Sequence, residues 1–144
     1  MNMEFWQRLK LFVTGKSRPE HLRRGELGER AAKRHLKSMG LKFLTANFKT
    51  KRGELDLVFR DGDCLVFVEV KTRSSERWSR PAAAVNLGKR RKISRVALDY
   101  LRLLRGSLVK FRFDIVEVLV DSDAVREVRH LPGAFQLVKR NSGR

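Results

Sequence analysis

Apolar residues recur at helical spacing from about Pro19 to Met39, with Leu22, Glu29, Ala32 and Leu36 on one face. Gly40 follows in the position where helices commonly end. Lys42–Phe48 predicts a strand and Lys51-Arg52-Gly53 a turn. The period then drops to two. Glu54–Arg60 and Cys64–Arg73 predict two strands joined through Asp61-Gly62-Asp63, since Asp-Gly between alternating apolar runs is a hairpin signal. Ser74–Pro81 predicts a loop. Ala82–Leu104 predicts a second helix through Val85, Ile93, Val96, Leu98, Leu101 and Leu104. Val109–Val120 and Val125–Leu131 predict two last strands around an Asp-Ser-Asp turn, and the chain after Pro132 reads as a loose tail. The order α-β-β-β-α-β-β implies a small α/β sandwich, a central mixed sheet flanked by helices. The division expected is an N-terminal extension at 1–18, one domain at 19–132 and a C-terminal tail at 133–144.

Within this pattern several acids stand where apolar residues belong. In GELDLVF, Leu55, Leu57 and Phe59 alternate to one face, and Glu54, Asp56 and Val58 to the other. In LVFVEVKTR, Val66, Val68, Val70 and Thr72 share a face opposite Leu65, Phe67, Glu69, Lys71 and Arg73. That strand is apolar on both faces up to Glu69, the pattern of an interior strand. An unpaired carboxylate there costs several kcal/mol or shifts its pKa. The hairpin register sets Asp56 and Glu69 on facing strands, close together. Two such carboxylates suit a hard divalent cation, Mg²⁺ above all or Mn²⁺. Lys71 follows on the same face, about 6.5–7 Å further along, where an ammonium can orient a water or offset phosphate charge. Glu29, on the otherwise apolar helix face, is a fourth candidate. Taken singly, each acid equally fits an ion pair, and Glu29 fits a surface pair with Lys33. Taken together, Asp56, Glu69 and Lys71 point to a site.

Charge sharpens this reading. The 144 residues carry 33 Lys+Arg against 16 Asp+Glu, a net +17, which calls for a polyanion and most simply for nucleic acid. The excess is uneven. Residues 16–52 hold twelve bases and three acids, and 83–110 eight and one, while 53–82 hold five bases and six acids. Acids between two basic segments serve a metal-dependent nuclease better than a plain phosphate-binding surface. Hydrophobic residues at 42% exclude a disordered chain. The single cysteine, Cys64, excludes an internal disulfide or a multi-Cys zinc site and fits a cytoplasmic, nucleoid-associated protein. His21, His35 and His130 have no metal-ligand spacing. No apolar run approaches the ~20 residues of a membrane span. The amphipathic N-terminus, with Phe5, Trp6, Leu9 and Phe12, fits a frayed or self-packed helix or a docking one.

These strings resemble the PD-(D/E)xK nuclease superfamily, and more closely the YraN-like family of predicted endonucleases related to archaeal Holliday junction resolvases. The likeness runs from about Gly25 to Val118. It is carried by Gly25…Glu29-x-x-Ala32…Leu36…Gly40, Asn47, Gly53-Glu54-Leu55-Asp56-Leu57, Phe67-Val68-Glu69-Val70-Lys71-Thr72-Arg73, Lys89…Lys92 and Phe113-Asp114. Leu55 stands where the superfamily name has proline. The resemblance implies a restriction-endonuclease-like fold, with Asp56 and Glu69 as metal-binding acids and Lys71 as the catalytic lysine. It also implies Glu29 as the helix-borne acid, the Val70 backbone carbonyl as a further ligand, and products with 5′-phosphate and 3′-hydroxyl ends.

The function expected is a Mg²⁺- or Mn²⁺-dependent endonuclease acting on DNA, selective for junctions or other branched substrates, and by the resolvase analogy a homodimer. Arg73, Arg77, Arg80, Lys89, Arg90, Arg91 and Lys92 are the expected DNA-binding bases. Trp78 is placed either to stack on an unpaired base or to pack, and Arg112 with Asp114 to form a structural pair. Two alternatives stand beside it: a nucleic-acid-binding module that does not cut, and an RNA- or ribosome-associated basic protein. Three acids are more than phosphate binding requires.

Overall fold

The computed structural model describes residues 19–74, 85–104 and 108–140. The elements are α1 (Glu20–Ser38), β1 (Lys42–Thr50), β2 (Gly53–Asp61), β3 (Cys64–Arg73), α2 (Leu87–Leu103), β4 (Lys110–Asp121) and β5 (Ala124–Phe135). Their order is the predicted one, in a single mixed five-stranded sheet ordered β1-β2-β3-β4-β5. Short turns make β1–β2, β2–β3 and β4–β5 antiparallel. Only the α2 crossover returns the chain far enough for β4 to run parallel to β3. The turns obey local stereochemistry: Gly62 sits at a φ of 59°, and Ser122 and Asp123 at 47° and 61°.

Among the described residues, each face of the sheet carries one helix. On the α1 face, Ala32, Leu36 and Leu41 meet Leu57, Phe59, Val66, Val68, Val116, Val118 and Val120. On the α2 face, Ile93, Val96 and Ala97 meet Leu55, Val58, Leu65, Phe67, Phe113 and Ile115. The end of α1 is fixed by two crossing bonds, Gly40 N–H to the Lys37 carbonyl and Leu41 N–H to the Leu36 carbonyl, with Leu41 buried beyond. Within α1, Gly28 is buried against β3, where a Cβ would overlap the Thr72 hydroxyl and lie 3.2 Å from its Cβ. That close approach sets how far the helix reaches over the sheet.

Several details differ from the pattern. Leu22 is exposed rather than part of the buried face, and its neighbours Glu20, His21, Arg24 and Gly25 border a groove of about 780 Å³ against the end of β3. Leu55 packs on the α2 face, opposite Leu57 and Phe59. Strict alternation fails between Leu55 and Leu57, where the Asn47–Asp56 position drops out of the β1–β2 pairing and Asn47 takes a φ of 54°. Val85 is buried but precedes α2, which starts after Asn86, whose side chain accepts the Lys89 N–H at 2.9 Å. The tail is not loose. Pro132-Gly133 reads as a breaker but lies in an edge strand, where proline is tolerated. There the register slips between Ile115↔Leu131 and Phe113↔Phe135, and the strand continues to Phe135, stacked on Phe113 at 4.8 Å. Beyond it, the Val138 N–H donates to buried Ser94 Oγ at 3.0 Å.

Among the described residues, no helix is long and apolar enough to cross a membrane. The two α1 glycines should respond oppositely to alanine. Gly25, where an added methyl would meet nothing within 4 Å, should gain about 0.5–1 kcal/mol. Gly28→Ala should lose about 1–3 kcal/mol to overpacking, partly recovered in a Thr72→Ala background. Urea midpoints for the four variants test this; equal stability of the two single variants would refute the close contact.

Candidate active site

The last paired residues of the β2–β3 ladder are Leu57 and Val68. One step beyond, Asp56 Oδ2 accepts the Val70 N–H at 2.8 Å, so its side chain does the work of a strand carbonyl. This holds the carboxylate against β3. Glu69 is only 4% exposed and lies close enough to Asp56 for the two carboxyls to hydrogen-bond through one proton. Lys71 Nζ stands 3.7 Å from Glu69 Oε1, and Lys89 Nζ, from the first turn of α2, stands at 3.4 Å. Burial and then the Asp56 charge push the Glu69 carboxyl up to about 7, against the pull of both lysines.

Glu29 reaches this centre from α1. Burial, and after it the charges of Asp56 and Glu54, raise its carboxyl above the ordinary range, while a hydrogen bond with Asn47 opposes them. Lys33, the surface partner that spacing suggested, lies instead over the Phe43 ring at 3.7 Å. Among the described residues no three His, Cys, Asp or Glu side chains are grouped closely enough to hold a metal. Asp56 and Glu69 therefore form a two-carboxylate centre, with Glu29 held off at Asn47. Its donors are all oxygen, and a buried pair of acids that retains a proton near pH 7 beside two lysines can take more positive charge. Oxygen donors of that kind suit a hard divalent cation better than a soft one.

The other buried acids behave differently. Asp114 is fully buried on the α1 face and takes three donors: Arg112 Nε at 3.0 Å, His130 Nε2 at 2.7 Å and Gly133 N–H at 3.0 Å. Burial works to raise its pKa, but the hydrogen bonds from His130, Arg112 and Gly133 outweigh it and hold the carboxyl below the ordinary range. Arg112 continues to Asp61 at 2.9 Å, so this network ties the hairpin, β4 and β5 together and is structural. Glu117, 3% exposed and beside Lys71 in the parallel register, keeps one buried oxygen without a hydrogen bond. Burial raises its carboxyl, and Arg73 and Arg129 oppose.

The expected DNA-binding bases separate. Four consecutive helical residues point in four directions: Lys89 turns to Glu69, and Arg90 donates to the Val85 carbonyl at 3.0 Å with its guanidinium over Phe135, while Arg91 and Lys92 are exposed. Arg73 is half-buried near Glu117. Arg77, Arg80 and Trp78 lie outside the described residues. Two residues of the centre had no role that the sequence pattern revealed: Asn47, whose tolerance of left-handed backbone was the available signal, and Lys89 as a partner of Glu69, for which spacing offered none.

Because the folded state keeps the Glu69 proton to about 7, above the ordinary 4.5, it binds more protons than the unfolded chain between those values. Stability in cation-free buffer should therefore fall as pH rises through that window, by about 3 kcal/mol in total from this residue. Glu69→Gln should remove that part of the slope. Denaturant midpoints from pH 4.5 to 8 for both proteins give the comparison; parallel curves would contradict it.

The profile described as "Uncharacterised protein family UPF0102" matches residues 28–118, a span that holds Glu29, Asp56, Glu69, Lys71 and Lys89. A UPF0102 protein of Geotalea daltonii is 39% identical over 125 residues, covering 87% of this chain and 98% of its own. One from Syntrophus aciditrophicus is 38% identical over 118 residues, 82% of this chain and 92% of its own. One from Symbiobacterium thermophilum is 41% identical over 111 residues, 77% and 94% respectively. The chain belongs to the UPF0102 family.

Proposed function

We propose that this protein is a metal-dependent endonuclease that hydrolyses DNA phosphodiester bonds, with a preference for junctions and other branched DNA. The observation that carries the reading is the Asp56–Glu69 pair: two carboxyls drawn together beside a buried strand and flanked by two lysines, in a chain of net +17. A structural ion pair would resemble Asp114, which is saturated with donors. The likeness of GELDL and FVEVKTR to the PD-(D/E)xK pattern supports the same chemistry.

Asp56, Glu69 and the Val70 carbonyl are the groups to hold Mg²⁺ or Mn²⁺. When bound, such a cation supplies Lewis-acid polarisation of the phosphate and a more acidic water. The chain's own residues do the rest. Lys71 sets an ammonium beside Glu69, where it orients the attacking water or offsets phosphate charge. Glu29, tethered by Asn47, adds negative charge next to Asp56. Exposed Arg91 and Lys92 contact phosphates, and contacts of that kind read backbone shape rather than base sequence and weaken steeply with salt. Selectivity for branched DNA is the fold-analogy part of the proposal.

Labelled junction, flap, duplex and single-stranded DNA, incubated with EDTA, Mg²⁺ or Mn²⁺, provide the test. Wild type should cut one of them only with metal. Asp56→Ala and Glu69→Ala should lose the activity, and Lys71→Ala should lose about 10²–10³-fold in rate, all with DNA binding retained. Tight binding without cleavage in any metal, unchanged in the variants, would leave a nucleic-acid-binding module instead.

A further inference from the structure

Lys89 keeps 42% of its side chain in solvent, yet its ammonium is directed at a buried acid. The first turn of α2 contains no acid, and cations at a helix N-terminus oppose the macrodipole, so helix stability does not explain a lysine there. The turn is fixed on both sides. Asn86 Oδ1 occupies the Lys89 N–H at 2.9 Å, and Arg90 is anchored on the Val85 carbonyl and the Phe135 ring. From that fixed base the long Lys89 stem is free to reach solvent, as lysines usually do. Its ammonium instead stands 3.4 Å from buried Glu69 Oε1, nearer than that of Lys71 at 3.7 Å. The two ammonium groups arrive from different elements, Lys71 from β3 and Lys89 from α2.

The charges make this arrangement conditional. In the free protein both ammonium groups stand on Glu69, beside Asp56. A divalent cation taken up by those carboxyls removes the reason for both lysines to stay on Glu69, and the nearest new anion is the phosphate being cut. Resting on the nuclease reading, we propose that Lys89 is a second lysine of the active centre, which holds Glu69 in the free protein and grips a phosphate oxygen of the DNA once a cation occupies Glu69. Lys89 thus belongs with Lys71 and not with exposed Arg91 and Lys92.

Lys92→Ala removes the same charge from an exposed position of the same helix and serves as the control. Mn²⁺ binding without DNA, measured by calorimetry, should be about two- to fivefold tighter in Lys89→Ala, which loses a competitor for Glu69, and unchanged in Lys92→Ala. Single-turnover cleavage should fall about 10²-fold in Lys89→Ala and be partly rescued in Lys89→Arg. Affinity for uncut DNA in EDTA should fall no more than in Lys92→Ala. Lys89→Ala matching Lys92→Ala in both Mn²⁺ affinity and cleavage rate would overturn the proposal. If wild type cuts nothing, the nuclease reading falls and Mn²⁺ binding decides alone. Tighter binding in Lys89→Ala then upholds its hold on Glu69, and equal binding refutes it.

Discussion

Where the β2–β3 ladder stops, the Val70 N–H still needs an acceptor, because an unpaired donor in a sheet interior costs about as much as a lost hydrogen bond. The Asp56 side chain meets that need at 2.8 Å. The bond ends the ladder at Leu57, holds the carboxylate across the gap to β3 and brings it against Glu69, whose own position follows from the parallel pairing of Glu69 with Ile115. It coincides with the break in alternation that sends Leu55 to one core and Leu57 to the other. A single polar contact thereby joins the construction of the sheet to the construction of the site.

The rest of the molecule converges on that point from both faces. On one side, the missing side chain at Gly28 lets α1 approach Thr72, and the next residue, Glu29, is carried to Asn47 and into the field of Asp56. On the other, the Asn86 cap and the Arg90 anchor fix the first turn of α2, and Lys89 reaches Glu69. The crossover that makes β3 and β4 parallel is what brings α2 over this end of β3. Stability and chemistry use buried acids in opposite ways. Asp114 is saturated by Arg112, His130 and Gly133 and has its carboxyl below the ordinary range, while Glu69 is under-compensated and has its own pushed up to about 7. An acid with every lone pair engaged can only hold the fold, whereas one short of positive charge can still bind something.

Much of this was legible in the residues. Period-two and helical spacing located the seven elements of the described residues, and the Asp-Gly turn set the register that faces Asp56 toward Glu69, because a two-residue hairpin fixes pairing locally. The errors have physical causes. Strict alternation assigned Leu55 to the wrong face, since alternation assumes unbroken pairing and the Asn47–Asp56 position lacks it. Pro132-Gly133 read as the end of structure, since a breaker signal carries no knowledge that Asp114, nineteen residues earlier, captures the Gly133 N–H. Leu22 satisfied helical spacing yet is exposed, since spacing alone does not say how far along a helix the core extends.

The sequence by itself determined the element order, the α/β class, the excess of positive charge and the presence of Asp56, Glu69 and Lys71 on one hairpin, because each depends on neighbours within a few residues or on one tight turn. Tertiary structure decided which of the many bases serve the centre. Lys89, Arg90, Arg91 and Lys92 are alike as a string of charges, and successive helical steps of about 100° turn one toward Glu69, one toward the core edge and two outward. Only the placement of α2 against the sheet gives those directions different partners, and that placement rests on packing between residues far apart in the chain.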